Sequence, residues 1–421
     1  METPVNKTVL SNGIRVLTKS IPQVRSVSMG VWVDVGARDE TPEESGLSHF
    51  IEHMIFKGTQ TRSAYQIAKE FDAIGGQTNA FTTMESTCYH AKVIDSHVGT
   101  MVDILSDIFL NSVFDEMEVE RERPVILQEI GMLEDSPEEY IHVLTGESFW
   151  GGNSLGGSIL GPRENIARFE AESIVAFFRK YYQPERIVIA AAGRLDHENF
   201  VDLVAGPYDS IPSSGNEFTS RLTPAGRRRL ARHRRRLEQV HICAVTGGVS
   251  ITDPSRYALA LMNTILGGNM SSRLFQDIRE RRGMAYAVYS FVSSFVDTGM
   301  FGAYVGVDAK HAATAAALLL DHIRQMGAAP VTSAELDDAK EFTKGNLLLS
   351  TESVDNQMVR LAQNDIHFGR DIPMAEVIGA VDAVTAEEIQ VLAQRLLKEN
   401  PMSLTVLGPI SEKDIPEAIL S

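Results

Sequence analysis

Two halves of this 421-residue chain repeat one another at a fixed distance. Val93-Ile94-Asp95-Ser96-His97 recurs as Gly306-Val307-Asp308-Ala309-Lys310-His311, with the two histidines 214 positions apart. An apolar strand closing on glycine, Ile187-Val188-Ile189-Ala190-Ala191-Ala192-Gly193, recurs as Leu404-Thr405-Val406-Leu407-Gly408 at an offset of 215. A constant offset over separated landmarks marks an internal duplication, at a period far above that of solenoid repeats. The chain is therefore expected to fold as two copies of one design, each mixing strands with helices and each long enough to bury its own core. The expected divisions are an N-terminal domain at 1–216, a basic linker at 217–239 and a homologous C-terminal domain at 240–421. The linker assignment rests on the run Arg227-Arg228-Arg229-Leu230-Ala231-Arg232-His233-Arg234-Arg235-Arg236, which follows Pro212 and Ser213 and precedes the apolar strand Val240–Val245. In that setting an arginine run reads as a solvated connection rather than an anion-binding patch.

Only the first copy carries His49-Phe50-Ile51-Glu52-His53. Residues four apart share one face of a helix, so two imidazoles at this spacing can hold one metal while the carboxylate between them reaches a water. At an offset near 210 the second copy has Leu259, Met262 and Asn263 in place of His49, Glu52 and His53, and so has no such site. A catalytic zinc usually takes three protein ligands and keeps a fourth position open. Glu129 is the candidate third ligand, in a stretch where Pro124 suits the first turn of a helix and apolar residues follow at helical spacing. Glu122 stands seven residues before it, on the same helical face, where a second carboxylate could orient a ligand. Without further information these glutamates would read as a solvated helix face.

With this motif and spacing the chain resembles, nearly end to end, the pitrilysin or insulinase family of zinc metallopeptidases, in particular its bacterial, processing-peptidase-like members. In that family His-x-x-Glu-His is followed some seventy-odd residues later by a glutamate ligand, and Glu129 lies 76 positions after His53. The resemblance implies one Zn2+ per chain held by His49, His53 and Glu129, with Glu52 as general base on a zinc-bound water and Glu122 assisting. It implies an α+β fold of two duplicated domains, each a largely antiparallel sheet with helices packed on one face. It further implies that Arg279 holds a substrate backbone carbonyl and that Tyr286, seven residues on, donates to the developing oxyanion. Read without the family, Arg279-Glu280-Arg281-Arg282 is a charged helix end before Gly283, and Tyr286 opens an apolar strand. Gly75-Gly76 turns into Gln77-Thr78-Asn79-Ala80-Phe81, which resembles the family's substrate-binding edge strand. There Asn79 and Ala80 would bind an extended peptide by strand addition.

Composition bounds the remaining possibilities. A formal charge of −17 argues against general nucleic-acid binding and favours neutral or basic peptides. No apolar run reaches the roughly 18 residues of a spanning helix, so no membrane role is expected. The start of the chain lacks the basic and apolar regions of a signal peptide, which points to the cytoplasm. Cys88 and Cys243, one in each half, are expected to be reduced core residues. The Gly151–Pro162 stretch is glycine-rich but lacks the Lys-Ser or Lys-Thr of a phosphate-binding loop. The expected activity is metalloendopeptidase cleavage of extended or unfolded polypeptide by a homodimer, with a further partner subunit an open question. The alternative is a non-catalytic structural or peptide-binding subunit of the same family that needs a partner chain.

Overall fold

The computed structural model describes residues 3–213 and 221–420. The expected boundary at 216/217 therefore falls outside the described residues. In chain order the elements are β1 (Val5–Val9), β2 (Arg15–Ser20), β3 (Ser26–Val33), α1 (Leu47–Met54), α2 (Ala64–Ala73), β4 (Gln77–Thr82), β5 (Thr87–Ile94), α3 (Val98–Asn111) and α4 (Glu116–Asp135). There follow α5 (Pro137–Trp150), α6 (Arg163–Arg168), α7 (Ala171–Tyr181), β6 (Ile187–Gly193), α8 (His197–Tyr208), β7 (Leu230–Arg234), β8 (Val240–Gly247) and α9 (Arg256–Asn263). The last group is β9 (Ala285–Ser294), β10 (Gly299–Val307), α10 (Ala312–Ala328), α11 (Ser333–Ser350), α12 (Val354–Phe368), α13 (Met374–Ala383), α14 (Ala386–Glu399) and β11 (Ser403–Gly408). Between α9 and β9 the chain makes two π-helical stretches, Thr264–Gly268 and Phe275–Arg281.

The chain forms two compact units, and neither is a continuous stretch of sequence. Unit 1 contains Met1–Gly131, Gly157–Arg221 and Leu348–Ile372; unit 2 contains Met132–Gly156, Leu222–Leu347 and Pro373–Ser421. Helix α5, encoded in the first half, thus belongs to unit 2, and its counterpart α12, encoded in the second half, belongs to unit 1.

Unit 1 is built on a six-stranded sheet of order β1-β2-β6-β3-β5-β4, and unit 2 on a five-stranded sheet of order β7-β11-β8-β10-β9. Each is antiparallel but for one pair, β2 with β6 and β7 with β11. Alternation along the strands sends successive side chains to opposite faces. In β3, Val27, Met29, Val31 and Val33 join the large core beneath α1 and α3, while Trp32 enters a second cluster with Val188, Ala190, Ala192 and, from α12, Met358 and Leu361. The expected helical face is present, and the opposite face of the unit 1 sheet is closed by α12. Trp32 donates its indole N–H to Met358 Sδ at 3.3 Å, so the one polar atom of that buried ring is satisfied.

The repeated landmarks have local causes. Gly193 ends β6 with φ +134°, and a Cβ there would lie 2.1 Å from the Ser26 carbonyl oxygen; Gly408 ends β11 with φ +149° and meets the Gln239 oxygen at 2.8 Å. Glycine alone fits both positions. Asp95 and Asp308 each open a single 3-10 turn leading into α3 and α10, and each accepts a nearby backbone N–H, from Ser96 and Lys310, at 3.1 Å.

Two sequence expectations change. Residues 230–234 of the arginine run are strand β7, not linker: Leu230 and Ala231 are buried and the strand pairs in parallel with β11. The apolar pair outweighed the flanking charges, which find partners at the sheet edge: Arg232 donates to the Ile415 carbonyl at 3.1 and 2.7 Å and Arg228 to that of Leu420 at 2.6 Å. Pro124 is not in a first turn, because α4 begins eight residues earlier at Glu116 and passes through it. The start signal is Asp115, whose Oδ1 accepts the N–H of Met117 at 2.9 Å and of Glu118 at 3.3 Å. Burial of Val119 and Ile126 on either side of the proline carries the helix across the lost hydrogen bond.

Candidate metal centre

Helix α1 is short, and its start is fixed from outside. Glu40 accepts the N–H of Gly46 at 2.8 Å and of Ser48 at 2.7 Å, using both carboxylate oxygens on donors that have no partner within the helix. Leu47, Phe50, Ile51 and Met54 are buried in the unit 1 core. That apolar face leaves His49, Glu52 and His53 together on another.

Helix α4 brings two carboxylates to these histidines. Glu129 Oε2 lies 3.3 Å from His53 Nε2 and 3.6 Å from His49 Nε2, and the imidazole centroids are 4.6 Å apart. One donor atom from each of His49, His53 and Glu129 falls within a 4.8 Å cluster, the only such grouping of three among the described residues. Glu122 takes the other nitrogen of His53, Nδ1, at 2.9 Å, and its second oxygen pairs with Lys57 Nζ at 2.5 Å. The seven-residue spacing thus separates the roles: Glu129 faces the two converging Nε2 atoms, while Glu122 fixes the His53 ring from behind.

Electrostatics disfavour a proton on His49. Burial pushes the His49 imidazole down to about 4, and nearby His53 pushes the same way, so His49 is neutral and its lone pair available. Burial also raises the Glu122 carboxyl, but hydrogen bonds from Lys57 and His53 outweigh it and hold the group below its usual range. Glu52 goes the other way: burial raises its carboxyl and the Glu129 charge adds to the rise, against lowering by Thr82 and His53. Glu52 Oε2 and His49 Nδ1 are buried with no hydrogen-bond partner. Two imidazoles and a carboxylate are a zinc donor set, and the orphaned Glu52 oxygen is what a carboxylate awaiting a water or substrate proton presents. The residues fit the metal.

The strand β4 is the outer strand of its sheet, with Asn79 exposed and Ala80 buried. Asn79 Oδ1 accepts the Ala80 N–H at 2.9 Å. In unit 2, Arg279 lies on the second π-helical stretch, and its guanidinium sits between two aromatic rings, 4.6 Å from the centroid of Phe275 and 4.7 Å from that of Tyr286. Tyr286 is 79% exposed. The sequence pairing of Arg279 with Tyr286 is thus a physical contact within unit 2.

Sequence reasoning missed Lys57 and Phe275. Phe275 stands four residues before Arg279, where helical spacing was the available signal, whereas Lys57 lies beyond the end of α1 at Met54, where helical spacing gives none.

Comparison with known proteins follows the same division. Residues 15–163 match the family model described as Insulinase (Peptidase family M16), and residues 168–342 match the model described as Peptidase M16 inactive domain. A Bacillus subtilis protein named as the uncharacterized zinc protease YmxG is 39% identical over 96% of this chain and 98% of its own length. The chain belongs to the M16 peptidase family. An uncharacterized zinc protease of Rickettsia bellii is 35% identical over 97% of this chain and 98% of its own. Among solved structures, a protease from Helicobacter pylori superposes with a TM-score of 0.88 at 19% identity, covering 97% of this chain and 100% of that one. A Pseudomonas fluorescens structure described as a peptidase M16 inactive domain gives 0.88 and 19%, covering 97% and 98%. At that identity the likeness speaks for the M16 fold. No helix among the described residues is long and apolar enough to cross a membrane.

Proposed function

We propose that this chain is a zinc-dependent metalloendopeptidase that cuts extended peptides or unfolded segments, with one zinc held by His49, His53 and Glu129. The observation that carries the reading is the convergence of those three donors beside Glu52, a half-buried residue whose Oε2 is buried without a hydrogen-bond partner. Bound there, zinc would act as a Lewis acid toward a peptide carbonyl and make water acidic enough to ionise near neutral pH. Glu52 takes the proton of the attacking water and returns it to the leaving amine, a role helped by a carboxyl raised by burial. Glu122 keeps the His53 ring in place through Nδ1 and remains ionised beside Lys57. Asn79 and Ala80 on β4 would accept the substrate as an added strand, while Arg279 and Tyr286 supply donors for its backbone and for developing negative charge. These last roles rest on the family resemblance, as does a homodimeric state. The two cysteines, both free and buried, accord with a reducing cytoplasmic setting.

The test is hydrolysis of a quenched, mixed-sequence peptide library by wild type, chelated wild type and Glu52→Gln. Cleavage by wild type alone, with metal retained in Glu52→Gln, is the expected result. Wild type that binds zinc and cuts no peptide of any length would instead make the chain a binding subunit.

A further inference from the structure

The duplication places a filled groove in unit 1 and an open one at the matching position in unit 2. In unit 1 the connection from β3 to α1 has 13 residues, 34–46, and its middle packs against the corner between α6 and α7. Asn165 donates to the carbonyls of Pro42 and Ser45 at 2.9 and 3.0 Å, Arg168 to that of Glu43 at 3.2 Å, and Tyr181 to that of Asp39 at 3.0 Å. Lys180 Nζ pairs with Glu44 at 3.1 Å. The corner thus holds a short acidic peptide segment, which happens to be the chain's own.

In unit 2 the matching connection, β8 to α9, has eight residues, 248–255, five fewer. The matching corner, between α13 and α14, borders a cavity of about 700 Å³ together with the first turn of α9. That volume is within the range of about 300–1,000 Å³ typical of ligand sites. The offset of 215 that relates Gly193 to Gly408 relates Lys180 to Arg395, Arg168 to Ala383 and Asn165 to Ala380, and all three of the latter line the cavity. Two of the three backbone-binding side chains of unit 1, Asn165 and Arg168, are therefore replaced by alanines, and Tyr181 by Leu396, beside Val384 and a Val391 that is 55% exposed. The cation is kept. Arg395 is 39% exposed, and its carboxylate neighbour Asp253 is 3.6 Å away, a loose pair that an incoming carboxylate can displace. Of the two acids on the rim, Glu388 is engaged in the capping box of Thr385, and Glu387 lies eight residues before Arg395, about 12 Å along α14.

We propose that this groove is a binding site for a short peptide segment, separate from the metal centre, that places apolar side chains on the Ala383, Val384 and Val391 floor and an acidic side chain on Arg395. The occupant is a peptide because the duplicated position holds one. It is more apolar than residues 41–45 because its floor is more apolar. Nothing in this inference depends on the chain being a peptidase.

The test uses the full chain in the presence of chelator and a fluorescein-labelled, end-blocked peptide of sequence Thr-Leu-Glu-Leu-Ser, read by anisotropy. Saturable binding to wild type is expected, weakened at least about tenfold by Arg395→Glu, by Ala383→Trp, which fills the groove from its solvent side, and by replacing the peptide glutamate with glutamine. Both variants should keep the melting temperature and metal content of wild type. Absence of saturable binding to wild type overturns the proposal, as does equal binding by all three proteins. Concentration-dependent self-association of wild type that Ala383→Trp abolishes, without peptide binding, also overturns it and assigns the groove to a second copy of the chain.

Discussion

Helices α1 and α9 hold corresponding places in two copies of one fold, each following the central strand of its sheet across a connecting loop. In α1, His49, Glu52 and His53 form a polar face toward Glu129; in α9 the matching Leu259 and Met262 are each 1% exposed and belong to the unit 2 core. The scaffold is common and a few side chains decide whether it presents metal donors or fills its own interior. The cost of the polar version is visible in the orphaned Glu52 and His49 atoms, groups that a fold selected for stability alone would pair or remove.

The sharpest way to break this comparison is at Glu52. Glu52→Gln should lower peptide hydrolysis by a factor of about 10² to 10⁴ while zinc content stays at the wild-type level. Loss of metal together with activity would mean that Glu52 is structural. One layer out, Glu122→Gln should weaken zinc affinity by about 10- to 100-fold, measured by competition with a chromogenic chelator, because the His53 ring keeps an acceptor but loses the negative charge that raises its basicity. Unchanged affinity would reduce Glu122 to a salt-bridge partner of Lys57.

Stability should invert the order of the two helices. Leu259→Ala removes a buried side chain and should cost about 2–5 kcal/mol in denaturant unfolding. His49→Ala, made at the matching position and measured without metal, should cost clearly less, since its Nδ1 makes no hydrogen bond. Equal losses would show that α1 is held by its histidine as much as α9 is by its leucine.

The smallest effect concerns acid stability in unit 2. Arg273 bonds both oxygens of Glu335 at 2.7 and 3.0 Å and, against burial, pulls its carboxyl from about 4.5 down to about 2, helped by Thr332. A depressed folded pKa gives stability that is complete above the unfolded value and is lost as pH falls toward 2. Arg273→Ala should therefore flatten the loss of melting temperature between pH 4.5 and 2.5 and leave the slope above pH 5 unaltered. A slope unchanged below pH 4.5 would remove this pair from the acid response.

Much of this is legible in the sequence alone. The offset of 214 to 215 announced the duplication because its landmarks are positions where backbone geometry admits few residues, as at Gly193 and Gly408. The convergence of His49, His53 and Glu129 was legible because helical spacing and metal chemistry both restrict residue type, and Glu129 and Glu122 stand beside the two histidines as their seven-residue spacing suggests. The reciprocal placement of α5 and α12 was not legible, since α5 has almost no amphipathic pattern and the pattern of α12 does not say which sheet it covers. Strand β7 was hidden because a charge-rich edge strand reads as a loop, and the start of α4 was hidden behind a proline that tertiary burial overrides. The difference between the filled and open grooves was invisible for another reason: it lies in the length of a loop, not in a motif.

The most direct test of the central claim, that one copy of the duplicated fold carries a metal centre and the other does not, is zinc content per chain after dialysis against trace zinc. The account predicts about one zinc per chain in wild type, falling to near zero in the paired variant His49→Ala, His53→Ala, with the unfolding transition preserved. Two zincs per chain, or one that survives removal of both histidines, would contradict it.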